Sequence, residues 1–168
     1  MKVFVSHKTE DLNIAKKWAK KLLEQGFHIY LDAYDEQIKT ATDRPNHIQA
    51  KIENSTDLLV VITRNTKTSW WVPFEIGLST AFDKRIASLV FKGAETLPSF
   101  LRKWPIIDTE EKWKTYLEEL NKNHSQLIQE SLQILSEVKK SHENFSYIKT
   151  MKESDLFHSI LKARFGQI

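Results

Sequence analysis

Glu75 stands four residues after Trp71 in the run Ser69-Trp70-Trp71-Val72-Pro73-Phe74-Glu75, and on a helix that spacing puts a carboxylate and an aromatic ring on one face. Trp70, five residues before Glu75, falls on a different face. A carboxylate in a cleft beside an aromatic surface can stabilise positive charge growing on a bound molecule. It can equally serve the positive end of its helix, a role for first-turn acids worth a few tenths to about 1 kcal/mol. Trp71 likewise reads as a substrate surface or as core packing of the kind expected of Trp18 and Trp113. Ser6, His7 and Lys8, with Asp11 behind them, form a second group of reactive types, and Asp32 a third.

Other chemistries are excluded by what these residues lack. The four glycines stand at positions 26, 77, 93 and 166, so neither a Walker loop nor a G-x-G-x-x-G turn can be written, and hydride chemistry in a Rossmann site is ruled out. With zero Cys there are no thiolate ligands, disulfides or cysteine nucleophiles. The six His residues never pair at i,i+3 or i,i+4 and share no metal-ligand spacing with a carboxylate, so no metal site is expected. Ser6, His7 and Asp32 make a hydrolytic triad only on paper: G-x-S-x-G is absent, and adjacent residues rarely aim at one point. A phosphoryl-receiver domain would need paired carboxylates after the first strand, where this chain has Ser6-His7-Lys8.

These residues need elements to position them. Residues 2–6 (KVFVS) are short and apolar, as a strand buried on both faces of a parallel sheet should be. Thr9 or Asp11 can cap a following helix whose apolar residues Ile14, Ala15, Trp18, Ala19, Leu22 and Leu23 keep the 3.6-residue period up to Gly26. Further strands are predicted at 27–32, 57–63, 86–91 and 105–107. A short helix is predicted at 45–54, and a helix from Trp71 whose buried stripe is Phe74, Leu78, Ala81 and Phe82. Pro73 fits only in the first turn of that helix. An Asp108-x-x-Glu111 capping box opens a helix over 108–121, and amphipathic patterns at 127–138 and 156–165 make a helical extension. Alternating strands and helices imply a parallel, doubly wound sheet, with ligands outside the carboxyl ends of its strands. That picks out the segments after Ser6, Asp32 and Thr63. The 33–46 loop is long enough to be a functional flap.

The chain has 168 residues, 28% charged and 40% hydrophobic, with a mean hydropathy of -0.45. It reads as one globular unit, and no apolar run approaches the roughly 20 residues that span a bilayer. The N-terminus lacks the apolar core of a signal peptide. A cytoplasmic protein without membrane association is expected. The net charge of +3 is spread over faces where Lys and Arg alternate with Asp and Glu, which reads as solvated surface and not as nucleic-acid binding.

Taken in order, Val5-Ser6-His7-Lys8, the IENSTDLLVVIT block and Trp71-x-x-x-Glu75 resemble the TIR (Toll/interleukin-1 receptor) family over roughly residues 1–121. The resemblance implies a flavodoxin-like five-stranded TIR fold over 1–121, with 122–168 a helical extension packed on or beside it. In enzymatic members the Glu of this motif is catalytic, and it falls on Glu75. The resemblance to stand-alone microbial members implies cleavage of NAD as substrate, without a cofactor, by hydrolysis or by cyclisation or transfer to an ADP-ribose signalling nucleotide. It also implies an antiviral setting of the Thoeris kind, self-association through TIR–TIR contacts, and a separate effector reached through the nucleotide. The KGAETLPSFLRKWP segment departs from the family, because the helix usual between the last two strands is reduced.

The chemistry agrees with one carboxylate. Nicotinamide leaves NAD as a neutral amine from a cationic glycoside, so no general acid is needed and the barrier lies in positive charge on the ribose, whereas ordinary glycosidases use two carboxylates. Ser6 and His7 read as ligand contacts or as a strand-end turn, and Asp32 as a holder of a ribose hydroxyl or a loop cap. Tyr34, in what corresponds to the family's BB loop, reads as a shelter for substrate or a self-association contact. Lys39 and Arg64 are candidate phosphate contacts, or solvated loop charges. Glu75 is read as an exposed cleft carboxylate, so Glu75→Gln should leave the fold unchanged. The competing functions are a non-catalytic TIR adaptor and a related nucleoside-processing transferase.

Overall fold

Four of the five residues of β1 (Lys2–Ser6) and all six of β3 (Asp57–Ile62) are buried, as central strands covered on both faces must be. The computed structural model describes residues 1–32, 43–94, 98–137 and 147–167. Strands β2 (His28–Tyr30), β4 (Arg85–Val90) and β5 (Ile106–Ile107) complete a five-stranded sheet in the order β2-β1-β3-β4-β5, parallel throughout. This is the flavodoxin-like order, whose switch point lies between β1 and β3. The fold class read from the sequence is the one observed. The flap residues 33–42, with Tyr34 and Lys39, lie outside the described residues.

Successive residues of each strand face opposite layers. Val3, Val5, Leu59, Val61, Ala87 and Leu89 point to one core, while Phe4, Leu58, Val60, Ile62 and Ile86 point to the other. The first core is covered by α1 (Leu12–Glu24) and α4 (Glu110–Leu120), where Trp18 meets Trp113 edge-on at 4.5 Å. The second is covered by α2 (Arg44–Glu53) and α3 (Trp71–Ala81). Helices α5 (His124–Glu137) and α6 (Glu153–Arg164) add Leu127, Leu156, Phe157, Ile160 and Leu161 to the first core. A single 3-10 segment, Ser99–Lys103, leads into β5.

Several local expectations are corrected. The second strand is shorter than 27–32: Phe27 and Leu31 are buried yet lie outside the ladder, so their apolarity marks burial and not pairing. Asp11 stands at the N-cap position of α1, as expected, but after a 3-10 turn, Thr9–Asp11, and without a capping bond: its carboxylate instead accepts from the Thr63 hydroxyl and the Asn65 amide in the loop after the neighbouring β3. The cap of α4 is Thr109, whose hydroxyl accepts from the Lys112 N–H, and Asp108 pairs with the Lys112 ammonium instead. The buried face of α3 is Val72, Glu75, Ile76 and Ser79, with Phe74 and Ala81 exposed. That helix is apolar on almost every face, so periodicity alone does not select the inner one.

The sheet ends at β5 in an unusual way. Because β5 is short, the outward N–H of Ile86 has no strand beside it and donates to Nε2 of His158 on α6, at 2.7 Å. On the outer side of β5, the Gln167 carboxamide accepts from the Ile106 N–H at 2.9 Å and donates to its carbonyl at 2.7 Å. Side chains thus complete the ladder. Burial pushes the His158 imidazole down to about 3, which keeps it neutral and able to accept. A lowered folded-state value means that this contribution is present above the unfolded value near 6.5 and is lost as pH falls below it. His158→Ala should cost about 1–3 kcal/mol by leaving a buried N–H unpaired, and urea unfolding from pH 7.5 to 5 should show the gap between wild type and variant shrinking with acid.

Candidate active site

The carboxyl ends of β1, β2 and β3 and the first turns of α2 and α3 enclose a cleft of about 180 Å³ lined by His7, Lys8, Asp32, Arg44, Trp70, Trp71 and Glu75 among others. Each side chain arrives for a local reason. Ser6 is the last residue of β1 and 1% exposed, and His7 follows it where the chain turns off the sheet. Thr63 directly follows β3, and its hydroxyl accepts from the Asn65 N–H at 3.0 Å, starting the 3-10 turn Arg64–Thr68. Ser69 then accepts from the Val72 N–H at 3.2 Å and sets the start of α3. Pro73 sits in that first turn, where its missing N–H is not needed.

Glu75 faces inward from α3 and is only 5% exposed, which corrects the expectation of an exposed carboxylate. The Ser6 hydroxyl donates to Glu75 Oε2 across 69 positions of sequence. Burial pushes the Glu75 carboxyl up to about 8; the Ser6 hydrogen bond opposes that, the negative charge of Asp32 adds to it, and the positive charge of Arg44 opposes it. Glu75 is therefore largely protonated at neutral pH. A cation brought next to it would favour the carboxylate.

Trp71 lines the same cleft, one turn before Glu75, with Phe74 edge-on to it at 5.7 Å. Asp32 Oδ1 lies 3.5 Å from His7 Nε2, and its Oδ2 lies 3.6 Å from Arg44 Nη2. Glu75, Ser6, His7, Asp32 and Trp71, the candidates within the described residues, are thus brought together. Arg64 is exposed and does not line the cleft.

Arg44 and Trp70 were not among the candidates, and Lys8 was grouped with Ser6 and His7 without a role of its own. Arg44 places its guanidinium over Trp71 at 4.5 Å; its only sequence signal is a cation at the first position of α2, directly after the Asp43 cap. Lys8 lines the cleft and donates to the Thr68 hydroxyl, tying the β1 loop to the β3 loop. Trp70, 91% exposed, stands at the mouth.

A separate apolar cavity of about 140 Å³ lies between α3 and residues 98–101 and holds none of the candidate residues. Among the described residues, no group of three His, Asp or Glu is placed to hold a metal ion, and no helix is long and apolar enough to cross a membrane.

No curated protein matches the chain. A family model described as TIR domain matches residues 3–122. That span covers all five strands and helices α1 to α4, so the fold, the cleft and its carboxylate lie within the match, and the chain belongs to the TIR domain family.

Proposed function

We infer that this TIR domain breaks the nicotinamide–ribose bond of NAD, with Glu75 as the catalytic residue. The observation that carries the reading is a buried carboxylate, held by Ser6 beside the Trp71 ring, in a cleft at the switch point of the sheet. In the reaction the C1′–N bond breaks, its electron pair stays on the pyridine nitrogen, and nicotinamide leaves neutral. Positive charge develops on the ribose, where an ionised Glu75 stabilises it in a low-dielectric site. Water, or a nitrogen or hydroxyl of a nucleotide, then bonds to C1′ and gives up a proton, yielding ADP-ribose, a cyclic form or a conjugate. Asp32 and His7 are positioned to hold ribose hydroxyls, and Trp71 to receive the nicotinamide ring.

TIR domains commonly self-associate. On our reading, assembly of copies raises activity and the nucleotide product carries a signal to a separate effector in antiviral defence inside a microbial cell.

The deciding experiment incubates purified protein with NAD at high protein concentration, with and without a crowding agent, and follows nicotinamide and the second product. Absence of nicotinamide in every assembly state rejects the enzyme and leaves an adaptor role.

The ionisation of Glu75 gives a pH prediction. Only the carboxylate is productive, and kcat/KM reports the free enzyme. It should therefore rise about tenfold per pH unit below the Glu75 value of about 8 and level off above it. The kcat profile should bend at lower pH, since bound cationic substrate favours the carboxylate. Initial rates from pH 6 to 9.5 check both, and a flat kcat/KM contradicts the assignment.

A further inference from the structure

Two carboxylates and an indole face converge on the cleft, and Arg44 answers all three. Its guanidinium lies 4.5 Å from the centre of the Trp71 ring, its Nη2 is 3.6 Å from Asp32 Oδ2, and its charge acts on Glu75. A guanidinium is flat, delocalised and weakly hydrated, which suits it to stacking on an aromatic ring. Its Nε is buried with no hydrogen-bond partner among the described residues. In the cleft it contacts the ring and the carboxylate charges, and a second flat cation could take over the same contacts.

Resting on the NAD reading, the substrate group that needs this position is the pyridinium ring, which is also flat and carries one delocalised positive charge. The cleft, at about 180 Å³, is smaller than the roughly 300–1,000 Å³ of sites that take drug-sized ligands. The Trp71 ring and the guanidinium over it both line this cleft, so a pyridinium stacked on that ring face takes the place of the guanidinium.

We propose that Arg44 is a resident cation that stands in for the pyridinium ring over Trp71, so that substrate binds by exchanging one flat cation for another. Arg44 keeps the cleft closed to neutral rings, because displacing it without supplying a cation leaves the Asp32 carboxylate without its guanidinium partner. The exchange selects the oxidised dinucleotide, whose ring is charged, over the reduced one, whose ring is neutral.

The test measures calorimetric binding of 1-methylnicotinamide, a permanent pyridinium cation, and of neutral nicotinamide to wild type, Arg44→Gln and Arg44→Lys. Removing a competing cation–π contact should tighten pyridinium binding by roughly tenfold in Arg44→Gln, with less gain in Arg44→Lys, and nicotinamide, which wild type excludes, should bind Arg44→Gln more tightly than wild type. Near-UV circular dichroism checks that each variant is folded, and Arg44→Lys keeps the charge at the start of α2. Equal or weaker pyridinium binding by Arg44→Gln, or none by any of the proteins, overturns the proposal. Nicotinamide release from NAD is read on the same proteins. Cleavage by wild type without a gain in Arg44→Gln removes the resident cation and leaves the enzyme reading intact, whereas a gain without cleavage keeps the resident cation and removes the enzyme.

Discussion

Glu75→Gln should lower nicotinamide release by about 10³-fold or more while making the folded protein more stable at neutral pH. The first effect follows from charge. Loss of one preorganised group facing developing charge typically costs about 10²–10³ in rate, and here the lost group is the proposed source of the entire stabilising charge. Gln keeps the shape and can still accept from the Ser6 hydroxyl, so the loss would be electrostatic and not steric. The second effect follows from burial. The folded-state value of Glu75, about 8, lies above its unfolded value of 4.5. Its contribution to stability is therefore full below about pH 4.5 and is lost as pH rises towards 8, at about 1.4 kcal/mol per pH unit. Gln does not titrate, so the variant should overtake wild type across that window, by several kcal/mol at its upper end. Urea denaturation of both proteins at pH 5, 6.5 and 8 measures this, beside a nicotinamide assay. A variant as active as wild type refutes the catalytic role. A pH-independent stability difference refutes the buried, protonated state.

Asp57→Ala should be the most damaging single change to the fold and should spare the chemistry. Asp57 begins β3 and Arg85 begins β4, paired in register at the end of the sheet opposite the cleft. Their bond is bidentate, with Nε to Oδ1 at 2.7 Å and Nη2 to Oδ2 at 2.9 Å, and the side chains are 1% and 4% exposed. Arg85 also donates to the Leu120 carbonyl and faces Glu153, so it ties the end of α4 and the start of α6 to the sheet. Removing one member of such a pair strands a buried charge and costs about 3–5 kcal/mol, a large share of the roughly 5–15 kcal/mol that holds a domain folded. The urea midpoint should fall sharply, while kcat per folded molecule stays near wild type. The double variant Asp57→Leu, Arg85→Met should recover much of the loss, because it leaves no unpaired charge buried in the sheet.

These two residues also mark what can be read from sequence. Strands β1, β3 and β4 are legible to within about one residue because burial on both faces demands unbroken apolar runs such as DLLVVI. The grouping of Ser6, His7, Asp32 and Glu75 is legible because strand ends in a doubly wound sheet share one rim. The inner face of α3 is not: its apolar residues surround the helix, and a carboxylate at position 75 gives no local sign that a hydroxyl 69 positions away will receive it. Asp11 looks like a capping side chain in sequence and is an anchor between loops in the fold, since its partners Thr63 and Asn65 belong to another loop. Arg44 is hidden for the same reason, because its ring partner is Trp71, on a different helix.

The side chains of His158 and Gln167 at the β4–β5 edge bear on how copies of this chain can add to one another. An exposed strand edge is a template for further strands, and head-to-tail addition that uses both edges generates open filaments. Here the backbone at one edge is already occupied by an imidazole and a carboxamide. The sheet's other edge strand is β2. Pairing through β2 alone joins two copies about a twofold axis and stops. A polymer longer than two must therefore be held by loops and helix faces, and its geometry is set by side chains that can be altered one at a time without touching the sheet.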